Sequence, residues 1–295
     1  MTAMVETIGW IGVGSMGHRM SRHLVAGGYP LVVADAVSIE RAPPGAAVAK
    51  TNREVAEQAD IVILSLPDGS ASQTVAKELV AATRRRLKTV IDTSTIGIRA
   101  AEAVAATLAA AGIEFVDAPV SGGTAGADKA TLAIMLGCPA ETFERLKPLL
   151  SLMGKPFHVG PKPGQGQAVK LLNNFLSATS LAATSEAIAF GTRQGIEMKT
   201  ILDIVNASTG RNSATDDKFP RRIMHGRYDA GFTAKLQLKD IRLYLENARA
   251  AGVADEIAST VVDVWGAMES DMPGADITEM YPYTVEGRRR GGKRR

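Results

Sequence analysis

The chain has 295 residues and a single cysteine, Cys138. No disulfide can form within it, and no cysteine-based metal cluster can be assembled. Cys138 stands in Leu136-Gly137-Cys138-Pro139, which reads as the end of a strand. No histidine follows at a catalytic spacing, so the thiol reads as structural rather than nucleophilic. The four histidines, His18, His23, His158 and His225, do not cluster, and no metal site is expected. Aromatic residues make up only 5% of the chain, which argues against a platform for stacking nucleic-acid bases. No apolar run approaches the length of a membrane span, and the opening MTAMVET is too short and polar for a signal peptide. The expected location is cytoplasmic, away from membranes.

Excess charge is also missing from most of the chain. The net charge is +3, but Arg288, Arg289, Arg290, Lys293, Arg294 and Arg295 supply six positive charges at the tail. Without them the balance is −3, so the body is mildly acidic and only residues 288–295 are basic. Such a run can bind nucleic acid or anionic membrane; its plainer reading is a solvated end.

What is present is ordinary globular material, 45% hydrophobic and 22% charged, with length for one large or two moderate domains. The informative stretch is TIGWIGVGSMG, Thr7 to Gly17. An apolar run, Ile8 to Val13, leads into Gly12-Val13-Gly14-Ser15-Met16-Gly17. A helical segment to Ala26 follows, then a second apolar run, Leu31 to Ala34, and Asp35. This is the order of strand, glycine turn, helix, strand and acid that a dinucleotide site needs. Gly12 permits the tight turn, Gly14 leaves room for a pyrophosphate, and Gly17 lets helix pack on strand. The helix N-terminus offers free N–H groups to phosphate. Asp35, 21 residues after Gly14, is placed to meet the adenosine ribose and would repel a 2′-phosphate. NAD is therefore the expected cofactor; NADP remains open through Arg41.

The pattern beyond Asp35 continues as strand–helix repeats. Strands are expected at 46–49, 61–66, 89–92, 114–118, 132–136 and 156–159, and helices at 52–58, 70–82, 99–111 and 140–151. This alternation predicts a doubly wound, mostly parallel α/β sheet of Rossmann type over residues 1–162. Pro161, Pro163, Gly164 and Gly166 then break the pattern. From Gln167 to Phe190 there is no breaker, and only helical segments follow, at 199–207, 216–224, 236–250 and 254–268. An all-helical substrate and oligomerisation domain is expected over 163–287, joined by a long helix. In the third of these segments Leu238, Ile241, Leu245 and Ala248 form an apolar stripe that leaves Lys239, Asp240 and Arg242 off it.

In an open α/β sheet ligands bind beyond the carboxyl ends of the strands. The segments there are Gly12–Gly17, Leu66-Pro67-Asp68, Ser94-Thr95-Ile96 and Ser121-Gly122-Gly123. The expected cofactor contacts are Gly12, Val13, Gly14, Ser15 and Met16 at the pyrophosphate, Asp35 at the ribose, and Leu66, Pro67 and Thr95 further along. Ser121-Gly122-Gly123 reads either as an anion nest or as a simple turn. In GQGQAVKLLNN, Gly164 to Asn174, Lys170 and Asn174 share one helical face. A lysine partly desolvated beside a cationic ring has a lowered pKa and can exchange a proton with a substrate hydroxyl. By spacing alone, a surface lysine is the plainer reading.

Four segments in order, IGWIGVGSMGHRM, DAPVSGGTAGA, GQGQAVKLLNN and Phe232 to Asp240 ending in LQLKD, make the chain resemble the β-hydroxyacid dehydrogenase family, which includes 3-hydroxyisobutyrate dehydrogenase and tartronate semialdehyde reductase. The resemblance covers nearly the whole length. It implies Lys170 as catalytic acid/base and Asn174 as a substrate-orienting residue. It implies Ser121, Gly122 and Gly123 as holders of the substrate carboxylate, with Phe232 bordering the site. Lys239 is implied to approach substrate and cofactor from the helical domain. The chain departs from the family at Asp128-Lys129-Ala130-Thr131, where many members have a Gly-Thr pair. The family's habit of assembling through long helices implies a homodimer or homotetramer. Two other readings remain: an imine reductase, against which Lys170 weighs, and a non-catalytic dinucleotide-fold module tethered to nucleic acid by the basic tail.

Overall fold

The computed structural model describes residues 6–286. The tail at 288–295 therefore lies outside the described residues. The described part falls into two compact units, one ending at Lys170 and the other beginning at Leu171.

The first unit is built on a nine-stranded sheet. In chain order its elements are β1 (Ile8–Ile11), α1 (Gly17–Ala26), β2 (Leu31–Ala34), β3 (Ala47–Val48), α2 (Asn52–Gln58), β4 (Ile61–Leu64), α3 (Gly69–Val80), β5 (Thr89–Asp92), α4 (Ile98–Ala109), β6 (Glu114–Asp117), β7 (Val120–Ser121), α5 (Gly123–Asp128), β8 (Leu132–Gly137), α6 (Ala140–Leu150) and β9 (Gly154–Gly160). The strand order is β3-β2-β1-β4-β5-β6-β8-β7, with β9 pairing β8. Strands β1 to β6 are parallel, as the strand–helix alternation predicts. The sheet turns mixed at β8, which runs antiparallel to β6 and β7 and parallel to β9.

The continuous apolar strands are explained by burial on both faces. Along β4, Ile61 and Ile63 join a core with Trp10, Val33, Leu24 and Leu146, while Val62 and Leu64 join another with Val55, Leu79, Val90 and Leu108. Cys138 is wholly buried in the first of these. Burial, with the charges of Glu114 and Asp117 nearby, pushes its thiol up to about 12, so it stays protonated and inert.

Helix α7 (Gln165–Arg193) runs unbroken for 29 residues. Its first turns belong to the sheet unit, so the division between the two units falls inside the helix. The cause is local: the N–H groups of Gly164 and Gln167 both donate to the Asp117 carboxylate, 2.9 Å each, at the end of β6.

The second unit continues with α8 (Met198–Asn206), a π-turn (Ala214–Lys218), α9 (Phe219–Arg221), a 3₁₀ turn (Ile223–His225), α10 (Ala234–Ala250), α11 (Glu256–Asp271), a 3₁₀ turn (Ile277–Glu279) and α12 (Met280–Val285). Its core joins Leu181, Ile188, Phe219, Ile241 and Trp265. The single helix expected over 216–224 is split instead into three short turns. Pro220 lacks the N–H that a regular helix needs there. Helices α5 and α12 were not expected, since six residues are too few to carry a periodic signal. No helix among the described residues is long and apolar enough to cross a membrane.

Candidate dinucleotide and substrate site

The glycine turn between β1 and α1 has the shape a pyrophosphate requires. Gly12 takes φ +96°, and a Cβ there would stand 2.2 Å from the Ser65 carbonyl oxygen. A Cβ on Gly17 would stand 1.9 Å from the Gly12 carbonyl oxygen, to which the Trp10 indole N–H donates at 2.8 Å. Around Gly14 a Cβ would meet no heavy atom within 4 Å. The turn is thus locked on its inner side and open on its outer side, in front of the α1 N-terminus. This cradle fits a dinucleotide. Val13, Ser15 and Met16 complete it.

Asp35 stands at the end of β2. Its Oδ2 accepts from the Val13 N–H at 2.6 Å, and Oδ1 accepts from Val37 and Ser38. Burial raises its pKa, but the N–H groups of Ser38, Val37 and Val13 and the charge of Arg41 outweigh that and hold the carboxyl below its ordinary value. A fixed anion therefore borders the glycine turn.

A buried hydrogen-bond chain links the next three strand ends. The Leu66 N–H donates to Ser94 Oγ at 2.7 Å, and the Ser94 N–H donates to Asp92 Oδ1 at 2.9 Å. Gln167, fully buried in the first turn of α7, accepts at Oε1 from Ile96 (2.9 Å) and Gly97 (3.1 Å). Its Nε2 donates to the Ser94 carbonyl at 3.0 Å. Burial pushes the Asp117 carboxyl up to about 6; the Gln167 and Gly164 N–H groups oppose this, and the Asp92 charge adds to it. Burial likewise raises Asp92, against hydrogen bonds from Ser94 and Ser72. Leu66, Pro67 and Thr95 flank this chain, and Lys170, only 9% exposed, lies three residues beyond Gln167. Gln167 and Asp117 were not singled out from sequence; the one available signal was a glutamine next to a glycine in GQGQ.

Ser121 ends β7, and Gly122 (φ +137°) and Gly123 (φ +63°) turn the chain into α5. The far end of α5 is held by α1. Arg22 Nη2 donates to the Asp128 carbonyl at 2.9 Å, and His23 Nε2 lies 2.8 Å from the Ala127 carbonyl oxygen. Arg19 and Arg22 both pair with the Asp128 carboxylate, at 3.1 and 3.0 Å. A second arm of Arg19 donates to the Ser15 carbonyl of the glycine turn. Cations at a helix C-terminus satisfy its free carbonyls and its dipole. The departure from the family pattern lies just beyond: Ala130 takes φ +54°, the one non-glycine residue with positive φ among those described.

In the helical unit, Asn174 is buried on α7, and its amide donates to Asp240 Oδ2 at 2.6 Å. The Lys239 ammonium lies 3.1 Å from Asp240 Oδ1. Gln237 donates to the Asn174 carbonyl at 3.2 Å. Asp240, expected to lie off the apolar stripe, is only 2% exposed; a carboxylate enters this helix interface where Asn174 donates to one oxygen and the Lys239 charge stands beside the other. Lys239 also lines a cleft of about 450 Å³ with Lys235, Arg242 and Glu246. The Phe232 carbonyl, just ahead of α10, accepts from the Ile277 N–H at 2.9 Å. Asn212 and Thr215 bond one another's backbone and cap the π-turn. Burial lowers the Lys218 ammonium in that turn. No cluster of side chains suited to a metal is found among the described residues.

A dinucleotide cradle on a doubly wound sheet, followed in the same chain by an all-helical unit, defines an NAD(P)-dependent oxidoreductase. Residues 7–160 match the NAD-binding domain of 6-phosphogluconate dehydrogenase, and residues 164–284 match the NAD-binding domain of NADP-dependent 3-hydroxyisobutyrate dehydrogenase. The chain is 34% identical over 287 residues to the 2-(hydroxymethyl)glutarate dehydrogenase of Eubacterium barkeri, covering 88% of this chain and 95% of that one. It is 35% identical to the NAD-dependent L-serine dehydrogenase of Pseudomonas aeruginosa, covering 88% and 91%. Its fold is similar to that of the Mycobacterium tuberculosis 3-hydroxyisobutyrate dehydrogenase solved with L-serine, with a TM-score of 0.87 at 29% identity over 96% of this chain and 100% of that one. The chain belongs to the β-hydroxyacid dehydrogenase family and acts on CH–OH groups.

Proposed function

We propose that the protein interconverts a small acid of the form HOCH₂–CHR–COO⁻ with its semialdehyde. The three relatives are named for 2-(hydroxymethyl)glutarate, L-serine and 3-hydroxyisobutyrate. Those compounds share that skeleton and differ only in R. The observation that carries the reading is the buried lysine: Lys170 is 9% exposed and lies one turn past a glutamine that is bonded into the sheet's ligand-binding end.

Gly12, Val13, Gly14, Ser15, Met16 and Asp35, with Leu66, Pro67 and Thr95 further along, would hold NAD(P), which when bound would supply the hydride acceptor. Lys170, as a neutral amine, takes the hydroxyl proton on Nζ as the carbinol carbon loses hydride. In reduction it returns that proton to the carbonyl oxygen. Ser121, Gly122 and Gly123 hold the carboxylate, Asn174 orients the substrate, and Phe232 and Lys239 border the site, as the resemblance implies. The same resemblance carries a homodimer or homotetramer, which the exposed Leu172, Leu176 and Phe190 along α7 support.

The test is a panel of the three acids, followed by cofactor absorbance, on wild type and Lys170→Ala. Turnover of at least one acid is expected, with its methyl ester at least about tenfold poorer, since a charge-assisted hydrogen bond contributes about 1.5–3 kcal/mol. Lys170→Ala should lose about 10²–10⁴-fold in kcat while still binding cofactor. Near-normal turnover by a folded Lys170→Ala protein would sink the assignment.

A further inference from the structure

The loop that follows β5 and the first turn of α7 meet at one side chain, that of Gln167. Its carboxamide makes three hydrogen bonds. Two N–H groups, from Ile96 and Gly97, converge on Oε1, and one carbonyl, from Ser94, accepts from Nε2. The opposite amide orientation would set an NH₂ group against two N–H donors, so the contacts allow one orientation only. The Gln167 backbone N–H is itself spent on Asp117 Oδ2. A side chain with no solvent exposure and all of these groups paired has essentially one conformation. Neighbouring backbone is equally constrained: a Cβ at Gly166 would stand 2.3 Å from the Met135 carbonyl oxygen and 2.7 Å from Asp117 Oδ2, so the helix start sits directly on β6 and β8.

We propose that Gln167 is a positioning residue for Lys170. It ties the Ser94–Gly97 loop, which carries Thr95, to the helix turn that carries the lysine. This fixes the proton-exchanging amine relative to the loop that flanks the cofactor. Ser94 extends the tie to the Leu66 loop, because its Oγ accepts from the Leu66 N–H while its carbonyl accepts from Gln167. The proposal rests on the reading of Lys170 as acid/base. Proton and hydride transfer tolerate little misplacement, since a shift of about 1 Å can cost about 10²-fold.

The test uses the full chain and whichever of the three acids wild type turns over best. Gln167→Met keeps the length and removes every side-chain hydrogen bond. Its kcat should fall about 10–100-fold while the KM for the acid and the affinity for cofactor, read by fluorescence titration, change less than about threefold. Hydrogen exchange at the Ile96 and Gly97 amides should accelerate. Gln167→Glu adds a reversible readout. Protonated Glu keeps an acceptor for the two N–H groups and a donor for Ser94; the ionised form loses the donor and sets a buried carboxylate oxygen against the Ser94 carbonyl. The ratio of its kcat to that of wild type should therefore rise as pH falls. Arg86→Leu breaks the Asp60–Arg86 pair ahead of β4 and serves as a control for lost stability alone, with kcat unchanged. A folded Gln167→Met with kcat within threefold of wild type overturns the proposal. If Gln167→Met does not fold, a Gln167→Glu ratio that is flat with pH overturns it. Loss of activity in Lys170→Ala with full activity in Gln167→Met refutes the positioning role alone; retained activity in Lys170→Ala refutes the acid/base reading beneath it.

Discussion

The Asn174 carboxamide donates to Asp240 Oδ2 at 2.6 Å, and the same carboxylate faces the Lys239 ammonium through its other oxygen. A buried anion thus holds two polar side chains from α7 and α10 at once. Each is a residue that the family resemblance marks for substrate or cofactor.

Removing that anion should unfasten both. Asp240→Ala leaves the buried Asn174 amide without its acceptor and should cost about 1–3 kcal/mol of stability, read by urea denaturation. Its kcat/KM should fall at least about tenfold, as loss of one charge-assisted contact implies. Asp240→Asn keeps an acceptor for Asn174 and should recover most of the stability but not the kcat/KM. Equal recovery of both would assign Asp240 to folding alone.

Asp117 gives a pH signature. Its carboxyl is pushed up to about 6, above its ordinary 3.8. The folded state therefore holds the proton more tightly than the unfolded chain. The stability this contributes is fully present below about pH 3.8 and is lost as pH rises through about 6. Relative to Asp117→Asn, which does not titrate, wild type should lose up to about 3 kcal/mol between pH 4 and 7. Paired denaturation curves across that range measure it. A difference that stays flat, or that grows with pH, contradicts the burial argument.

The backbone at Ala130 is a site for gain. An L residue at φ +54° carries a cost of about 1–2 kcal/mol that glycine avoids. Glycine's extra freedom in the unfolded chain offsets about 0.4–1 kcal/mol of that. Ala130→Gly should therefore stabilise by up to about 1 kcal/mol and raise Tm by about 2–4 °C. A lowered Tm in a calorimetric scan would show that the methyl group packs well enough to offset the strain.

Cofactor choice should follow Asp35. Its carboxylate is held ionised by the N–H groups of Ser38, Val37 and Val13, so a 2′-phosphate would meet a fixed negative charge. We expect kcat/KM with NAD to exceed that with NADP by at least about tenfold, or about 1.4 kcal/mol. Asp35→Ser should narrow the gap. A wild-type preference for NADP would mean that Arg41, whose charge already acts on Asp35, turns toward the phosphate instead.

The parallel strands and the long helix were legible in the sequence because each rests on a local rule: continuous apolar runs for strands buried on both faces, and a breaker-free stretch for α7. The glycine turn was legible because its residues are fixed by backbone sterics, seen at Gly12 and Gly17. What escaped depends on contacts between distant segments. Asp117 and Gln167 are 50 residues apart and meet only because β6 ends beside the start of α7. Asp240 looks like a surface residue by helical spacing until Asn174, 66 residues earlier, supplies its donor. The antiparallel run of β8 depends on the two-residue strand β7, too short to leave a pattern.

The clamp of Arg19, Arg22 and His23 on the end of α5 limits how this enzyme can be altered. Arg19 reaches both Ser15 in the glycine turn and Asp128 at the end of the helix that begins at Gly123. Replacements in either loop are therefore felt by the other. An effort to evolve acceptance of a different acid is best confined to side chains outside this clamp. Libraries that vary Asp128 or its two arginines would disturb both loops at once, and hits from them would be hard to combine, because their effects would not add.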